Sequence, residues 1–340
     1  MELLTDVGSF GIKALIIVIS IVIVLVTFMA LALKNKLQGQ IEAENLNEKL
    51  DEEAEQLRSL AFEKNELKDF HKKIKKDKKA KKTEDLPRVF VLNFKGDMKA
   101  SSLDLFRDEI TLVLNTAAPN KDEVLLKLES PGGMVHSYGL AAAQMLRIKE
   151  HKLRLTVCID KVAASGGYLM ACTADHIISA PFAILGSIGV IAQVPNFNRL
   201  LKKHDIDYQE ITAGEYKRTI SLMGEITEKG KEKFTEEIND THLLFKEFVS
   251  RHRPQLDLSK VATGEHWFGE RAIKLNLADA IGTSDEEILK LKGSKKLIRV
   301  TKKPKKSFSQ KFTETMSLTL SLAFDRSFDK WLEKNNKINY

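Results

Sequence analysis

An α/β domain with neighbouring, largely parallel strands is the fold class the sequence predicts, set behind a transmembrane helix and a charged helical stalk. Three observations predict it. From Arg88 onward, short β-rich apolar runs alternate with stretches of helical periodicity. Ala14 to Leu33 holds about 20 residues without a charge, the length of a helix that crosses a ~30 Å hydrocarbon layer. Between these regions, Ile41 to Lys82 contains neither proline nor glycine and is dense in Glu and Lys.

Each element has its own signal. No A-x-A cleavage site follows the apolar run; Lys34 and Lys36 arrive instead, which favours a retained anchor over a cleaved signal peptide. In the stalk, Leu46, Leu50, Ala54, Leu57 and Ala61 recur at intervals of three or four, as in one polar helix. A coiled oligomer contact and an exposed spacer both fit that pattern. Pro87 marks the domain entrance, followed by a strand over Arg88 to Phe94 and a helix over Leu103 to Leu114. Val124 to Ser130 reads as a second strand, Pro131-Gly132-Gly133 as a sharp loop, and Gly139 to Ile148 as a helix. Leu153 to Asp160 is a third strand, which leads through Ala164-Ser165-Gly166-Gly167 into a short helix. Phe182 to Val194 is too short and too polar to span a membrane and reads as buried strand. Glu228 to Arg253 is a charged amphipathic helix, Ala262 to Gly282 a turn–helix–turn unit, and Leu297 to Val300 a further strand. Phe312, Met316, Leu320, Phe324, Phe328 and Trp331 fall at helical spacing, on a helix that either lies in a membrane interface or packs on protein.

Composition excludes several classes. With 340 residues, 43% hydrophobic and 30% charged, the chain is neither disordered nor short of core material. Cys158 and Cys172 cannot form a disulfide scaffold, no His/Cys cluster has structural-zinc spacing, and both cysteines read as buried thiols. The net charge of +7 resides in two tracts, Lys72 to Lys82 at +7 and Lys292 to Lys311 at +9, so the rest of the chain is acidic. A nucleic-acid binder spreads its positive charge over the binding face; these tracts read as solvated or membrane-facing tails, with no nucleic-acid partner.

Two small-residue turns carry the chemical signal: Ser130-Pro131-Gly132-Gly133 and Ala164-Ser165-Gly166-Gly167, each after a strand. A serine at a strand-to-helix turn has backbone N–H groups close by to receive an oxyanion, and neighbouring glycines let a substrate backbone approach. Gly133 of the first turn could supply a facing donor. The same pattern also describes a helix N-cap between two tight turns. Serine needs a base; none of the histidines from His136 to His266 stands out, and the lysines are too many to choose among.

DKVAASGGYLMACTADHIISAP, LGSIGV, LESPGG, AGEYK and TGEHWFGERAIKLNLADAIG, in their order along Arg88 to Gly282, resemble the signal peptide peptidase A family of membrane-bound Ser/Lys peptidases, nearest its SohB branch. The resemblance implies a ClpP/crotonase-like domain of repeated ββα units. It implies Ser165 as nucleophile and Lys217, buried and neutral, as general base. Ser187 would orient the lysine, Gly133 and Gly166 would donate to the oxyanion, and Val190 and Ile191 would offer a strand edge to an extended peptide. It implies no metal or organic cofactor, peptide or protein substrates, a lipid bilayer, and a homo-oligomer whose dyads can span subunits. RTISLMGE after Lys217 departs from the family's glycine-rich sequence and leaves substrate preference open. The implied organisation is 1–37 tail and anchor, 38–86 stalk, 87–291 peptidase domain, and 292–340 basic tract with C-terminal helix.

Two other function classes are compatible with parts of this pattern, acyl-CoA chemistry on the same fold and a non-catalytic membrane scaffold. For the membrane side, lysines after the span favour a cytoplasmic domain, while the resemblance favours the periplasmic face of a bacterial inner membrane.

Overall fold

The computed structural model describes residues 41–63, 65–67 and 86–303, with Ile19 and Phe70. The span expected at 14–33, the lysine run at 72–82 and the helix expected at 308–332 lie outside the described residues, apart from Ile19. Among the described residues no helix is long and apolar enough to cross a membrane. Two compact units divide the chain, one of residues 1–41 and 303–340, the other Glu42–Lys302.

The second unit is a mixed α/β fold. Its main sheet orders its strands β1 (Ile41–Asn45), β10 (Lys296–Lys302), β2 (Arg88–Lys95), β3 (Glu123–Glu129), β4 (Arg154–Ile159), β6 (His176–Ser179) and β9 (Ala280–Ile281). From β10 to β9 every neighbouring pair is parallel, as the strand–helix alternation predicted. Side chains alternate between faces. Phe90, Leu92 and Phe94 of β2 enter the larger core with α2 (Leu103–Leu114) and α3 (Val135–Glu150); Val89 and Val91 enter a smaller one with Leu46 and Ile288.

Three findings differ from expectation. The stretch read as one polar helix begins as strand β1, and α1 runs only from Leu46 to Ala61. Asn47 ties this entry to β10, its side-chain amide donating to the Lys292 and Lys295 carbonyls and accepting from the Leu297 N–H at 2.7 Å. The strand expected at Leu297 to Val300 is present as β10, and through it the main sheet extends past residue 291, the expected end of the peptidase domain. Finally, only Ile184–Gly186 (β7) of the run Phe182 to Val194 is strand; Phe182 is 80% exposed and the residues from Ile191 to Val194 are exposed. Cys158 and Cys172 are buried free thiols, as expected, and burial pushes Cys158 up to about 12.

A second, smaller sheet holds β5 (Val162–Ala164), β7 and β8 (His266–Phe268), with Ser130 bridged onto β5. The chain passes from a main-sheet strand to a short second-sheet strand or bridge: β3 to the Ser130 bridge and then α3, β4 to β5 and then α4 (Gly166–Ala171), β6 to β7. The first two passages end in helices. α5 (Asn198–Lys203) follows on the excursion after β7, and α6 (Glu228–His252) brings the chain back to the body. At the end of α6, Arg253, almost wholly buried, donates both guanidinium nitrogens to Asp279 at 2.7 and 2.9 Å and one to the Asn276 carbonyl.

Glu109 on α2, 6% exposed, accepts the Lys302 N–H at 2.7 Å. Burial pushes its carboxyl up to about 7 against the opposing pull of Lys302. The folded state therefore favours the protonated acid, and this stabilisation is complete below about 4.5 and lost as pH rises through about 7. Glu109→Gln keeps an acceptor and removes the titration. Thermal melting at pH 5 and pH 8 should show wild type losing more stability over that interval than Glu109→Gln; equal losses would contradict the assignment.

Candidate active site

Strand register assembles the site. On parallel strands β5 and β7, Ala164 pairs with Gly186, so the next residues, Ser165 and Ser187, emerge side by side although 22 positions apart in sequence. The Ser165 N–H donates to the Gly186 carbonyl at 2.8 Å, and the Ser187 N–H to the Glu265 carbonyl at 2.6 Å. On the other side of β5, the Ser130 N–H donates to Val162 and its carbonyl accepts from Ala164. Both small-residue turns and the Ser187 turn thereby lie at the same end of three adjacent strands.

The backbone there is strained. Ser165 has φ +51° and ψ −120°, and Ser187 has φ +52°, a left-handed region that non-glycine residues enter at a cost of about 1–3 kcal/mol. A serine raised on such a strand-to-helix turn presents its Oγ at the tip. Its helix role is not that of a side-chain cap, since Ser165 makes no capping hydrogen bond to α4. Gly132, at φ +87°, packs directly on this turn; a Cβ there would stand 2.6 Å from the Gly166 nitrogen and 2.8 Å from the Ser165 Cβ. The two turns are therefore in van der Waals contact. Among the described residues neither the Gly133 nor the Gly166 N–H meets an acceptor.

Ser165, Gly133 and Gly166 open onto a cavity of about 320 Å³. Val190 and Ile191 border it, outside any regular strand. Its far wall is one face of α6, with Thr241, Leu244, Phe245 and Phe248, and its floor includes Tyr138 and Leu169. Sequence reading missed this wall because α6 is dominated by charge. The signal was present in Thr241, Leu244, Phe245 and Phe248, which share one face at i, i+3, i+4 and i+7.

Lys217 stands apart. It lies on an irregular, exposed segment, its N–H donating to the Gly214 carbonyl at 3.1 Å. It does not border the cavity, and among the described residues no hydrogen bond joins its side chain to Ser165 or Ser187. The expectation of a buried lysine is thus not met within one chain. The excursion from Ile191 to Ile226 leaves the body without a core of its own and carries exposed apolar side chains, Ile211 at 94% among them.

Family models for peptidase family S49 match almost the whole described body, the N-terminal model over residues 2–145 and the peptidase model over residues 147–298. The chain is 48% identical to the probable protease SohB of Haemophilus influenzae across 92% of both chains. The chain belongs to peptidase family S49. Within it the chain sits in the SohB branch; a probable protease SohB of Buchnera aphidicola subsp. Schlechtendalia chinensis is 53% identical over 60% of this chain and 66% of its own. Among solved structures, a membrane-bound stomatin-specific protease aligns at 16% identity and TM-score 0.40, over 61% of this chain and 85% of that one. Membership of S49 makes this protein a serine-type endopeptidase.

Proposed function

We propose a membrane-anchored Ser/Lys endopeptidase that cleaves peptides and unfolded or membrane-derived segments on a ClpP/crotonase-type scaffold. It works as a homo-oligomer in which Lys217 of one copy meets Ser165 of another. Lys217 accepts the Ser165 proton and the Ser165 Oγ attacks the scissile carbonyl carbon. The oxyanion is received by the Gly133 and Gly166 N–H groups. The C–N bond then breaks as the amine takes the proton from Lys217, leaving an acyl-enzyme. Water, deprotonated by the same lysine, attacks this ester; the C–O bond to Ser165 breaks as Oγ takes the proton back from Lys217, which releases the acid and restores both groups. Ser187 orients the lysine, and Val190 and Ile191 pair with the extended substrate. Every step uses side-chain and backbone groups of the chain itself.

The observation that carries the reading is the pairing of the strained Ser165 turn with two glycine N–H groups at the mouth of an apolar cavity. The exposed lysine and apolar excursion support assembly, since a lysine serves as base only where desolvation lets its amine release the proton. The uncharged run from Ala14 to Leu33 supports the anchor, and the family resemblance supports a periplasmic domain; reporter fusions after Lys82 test that side.

Cavity shape makes the substrate reading testable. At Gly139 an added Cβ would meet no atom within 4 Å, so Gly139→Leu fills space rather than breaking packing. With the full chain in detergent, wild type should prefer a large apolar residue at the cleaved position. Gly139→Leu should raise KM for that peptide several-fold and spare one with alanine there. Equal turnover of an aspartate peptide, or no change in Gly139→Leu, would contradict the apolar pocket.

A further inference from the structure

Tyr138, wholly buried on α3, has no part in the Ser/Lys step, yet it touches both turns that supply the oxyanion donors. Its ring lies against Gly166, where a Cβ would fall 2.7 Å from the Tyr138 Cβ and 2.8 Å from Cδ2. Its hydroxyl donates to the Asp97 carbonyl at 2.8 Å and sits 2.6 Å from the Ser130 Oγ. The phenol has one proton and gives it to Asp97, so the Ser130 hydroxyl donates to the phenol oxygen. Ser130 Oγ in turn accepts the Gly132 N–H at 3.1 Å. The links run in one direction, from Gly132 through Ser130 and Tyr138 to Asp97. Burial raises the phenol above its ordinary value, which keeps it a donor. The residue after Asp97 braces the same loop. The Met98 carbonyl accepts the Met134 N–H at 2.9 Å and stands where a Gly133 Cβ would be.

We infer that Tyr138 is a positioning residue that sets the spacing of the Gly133 and Gly166 N–H donors, its ring fixing one turn and its hydroxyl the other. This rests on the reading of those two groups as the oxyanion hole of Ser165. Donors that act on charge developed in the transition state change kcat and leave ground-state binding alone. Tyr138→Phe keeps the ring and severs the link to Ser130; since loss of a whole donor costs about 10²–10³ in kcat, displacing one should cost roughly tenfold. Ser130→Ala severs the same chain one link earlier.

The test is steady-state cleavage of one peptide by the full chain in detergent, for Tyr138→Phe, Ser130→Ala, the double variant and Ser165→Ala, with melting temperatures alongside. The expected result is a roughly tenfold fall in kcat for each single variant with KM within twofold, and a double variant no slower than the slower single. Affinity for a peptide aldehyde, which forms a tetrahedral adduct, should fall by the same factor as kcat. Unchanged kcat in both single variants, or losses that multiply in the double, would overturn the inference. Should Tyr138→Phe fail to fold, Ser130→Ala decides alone, a fall in kcat supporting the inference and a change confined to KM overturning it. Turnover surviving in Ser165→Ala would refute the nucleophile reading itself, whereas its loss beside an unaffected Tyr138→Phe would refute only the role given to Tyr138.

Discussion

Ser165→Ala should lower peptide turnover by roughly 10⁴- to 10⁶-fold, the scale on which removal of a serine nucleophile acts, while the protein stays folded. Ser165 holds its place through the backbone, its N–H on Gly186 and its carbonyl accepting from Leu169, and neither bond involves Oγ. Alanine suffers the same positive φ, so the melting temperature should barely move. Ser165→Gly separates strain from chemistry. Glycine enters that region freely, and the turn should gain about 1 kcal/mol while activity is lost equally. Denaturant unfolding alongside turnover checks both arms; a stabilised variant that still cleaves peptide would remove Ser165 from the chemistry.

The second large effect belongs to Lys217. Lys217→Ala should be nearly as inactive as Ser165→Ala, although the side chain lies exposed and outside the cavity of its own chain. The decisive form of the experiment mixes the two dead variants. In a ring of head-to-tail copies, equal mixing builds sites from an intact Ser165 of one variant and an intact Lys217 of the other, in about a quarter of positions. Activity should therefore return to about that fraction after the two are dissociated and reassembled together. A mixture as inactive as its parents would place both residues of the dyad in one chain.

Local signals carried far into this structure where local chemistry decides the outcome. The Leu103–Leu114 helix lies where apolar periodicity predicted it, and the strands at Arg88, Val124 and Leu153 differ from expectation by no more than one residue at each end. That Ser165, Gly133 and Gly166 lie on tight turns was legible in the small residues clustered just after each strand, while the roles proposed for them came from the resemblance. Ser187 was legible only through resemblance, for its closeness to Ser165 depends on the β5–β7 register. What failed to show was decided at long range. Ile41-Glu42-Ala43-Glu44-Asn45 has helix-forming composition but becomes a strand because β10, some 250 positions later, offers it an edge. Tyr138 looks like any core aromatic until its hydroxyl is seen to join Ser130 and Asp97, 8 and 41 positions away.

Covalent labelling tests the centre of this mechanism most directly. The full chain in detergent is treated with a fluorophosphonate, which reacts only with an activated serine, and the adduct is mapped by mass spectrometry of its peptides. A single adduct on Ser165 is expected, absent from Ser165→Ala and lost from Lys217→Ala. Modification of another serine, or labelling of Ser165 that proceeds undiminished without Lys217, would contradict a hydroxyl activated by that amine.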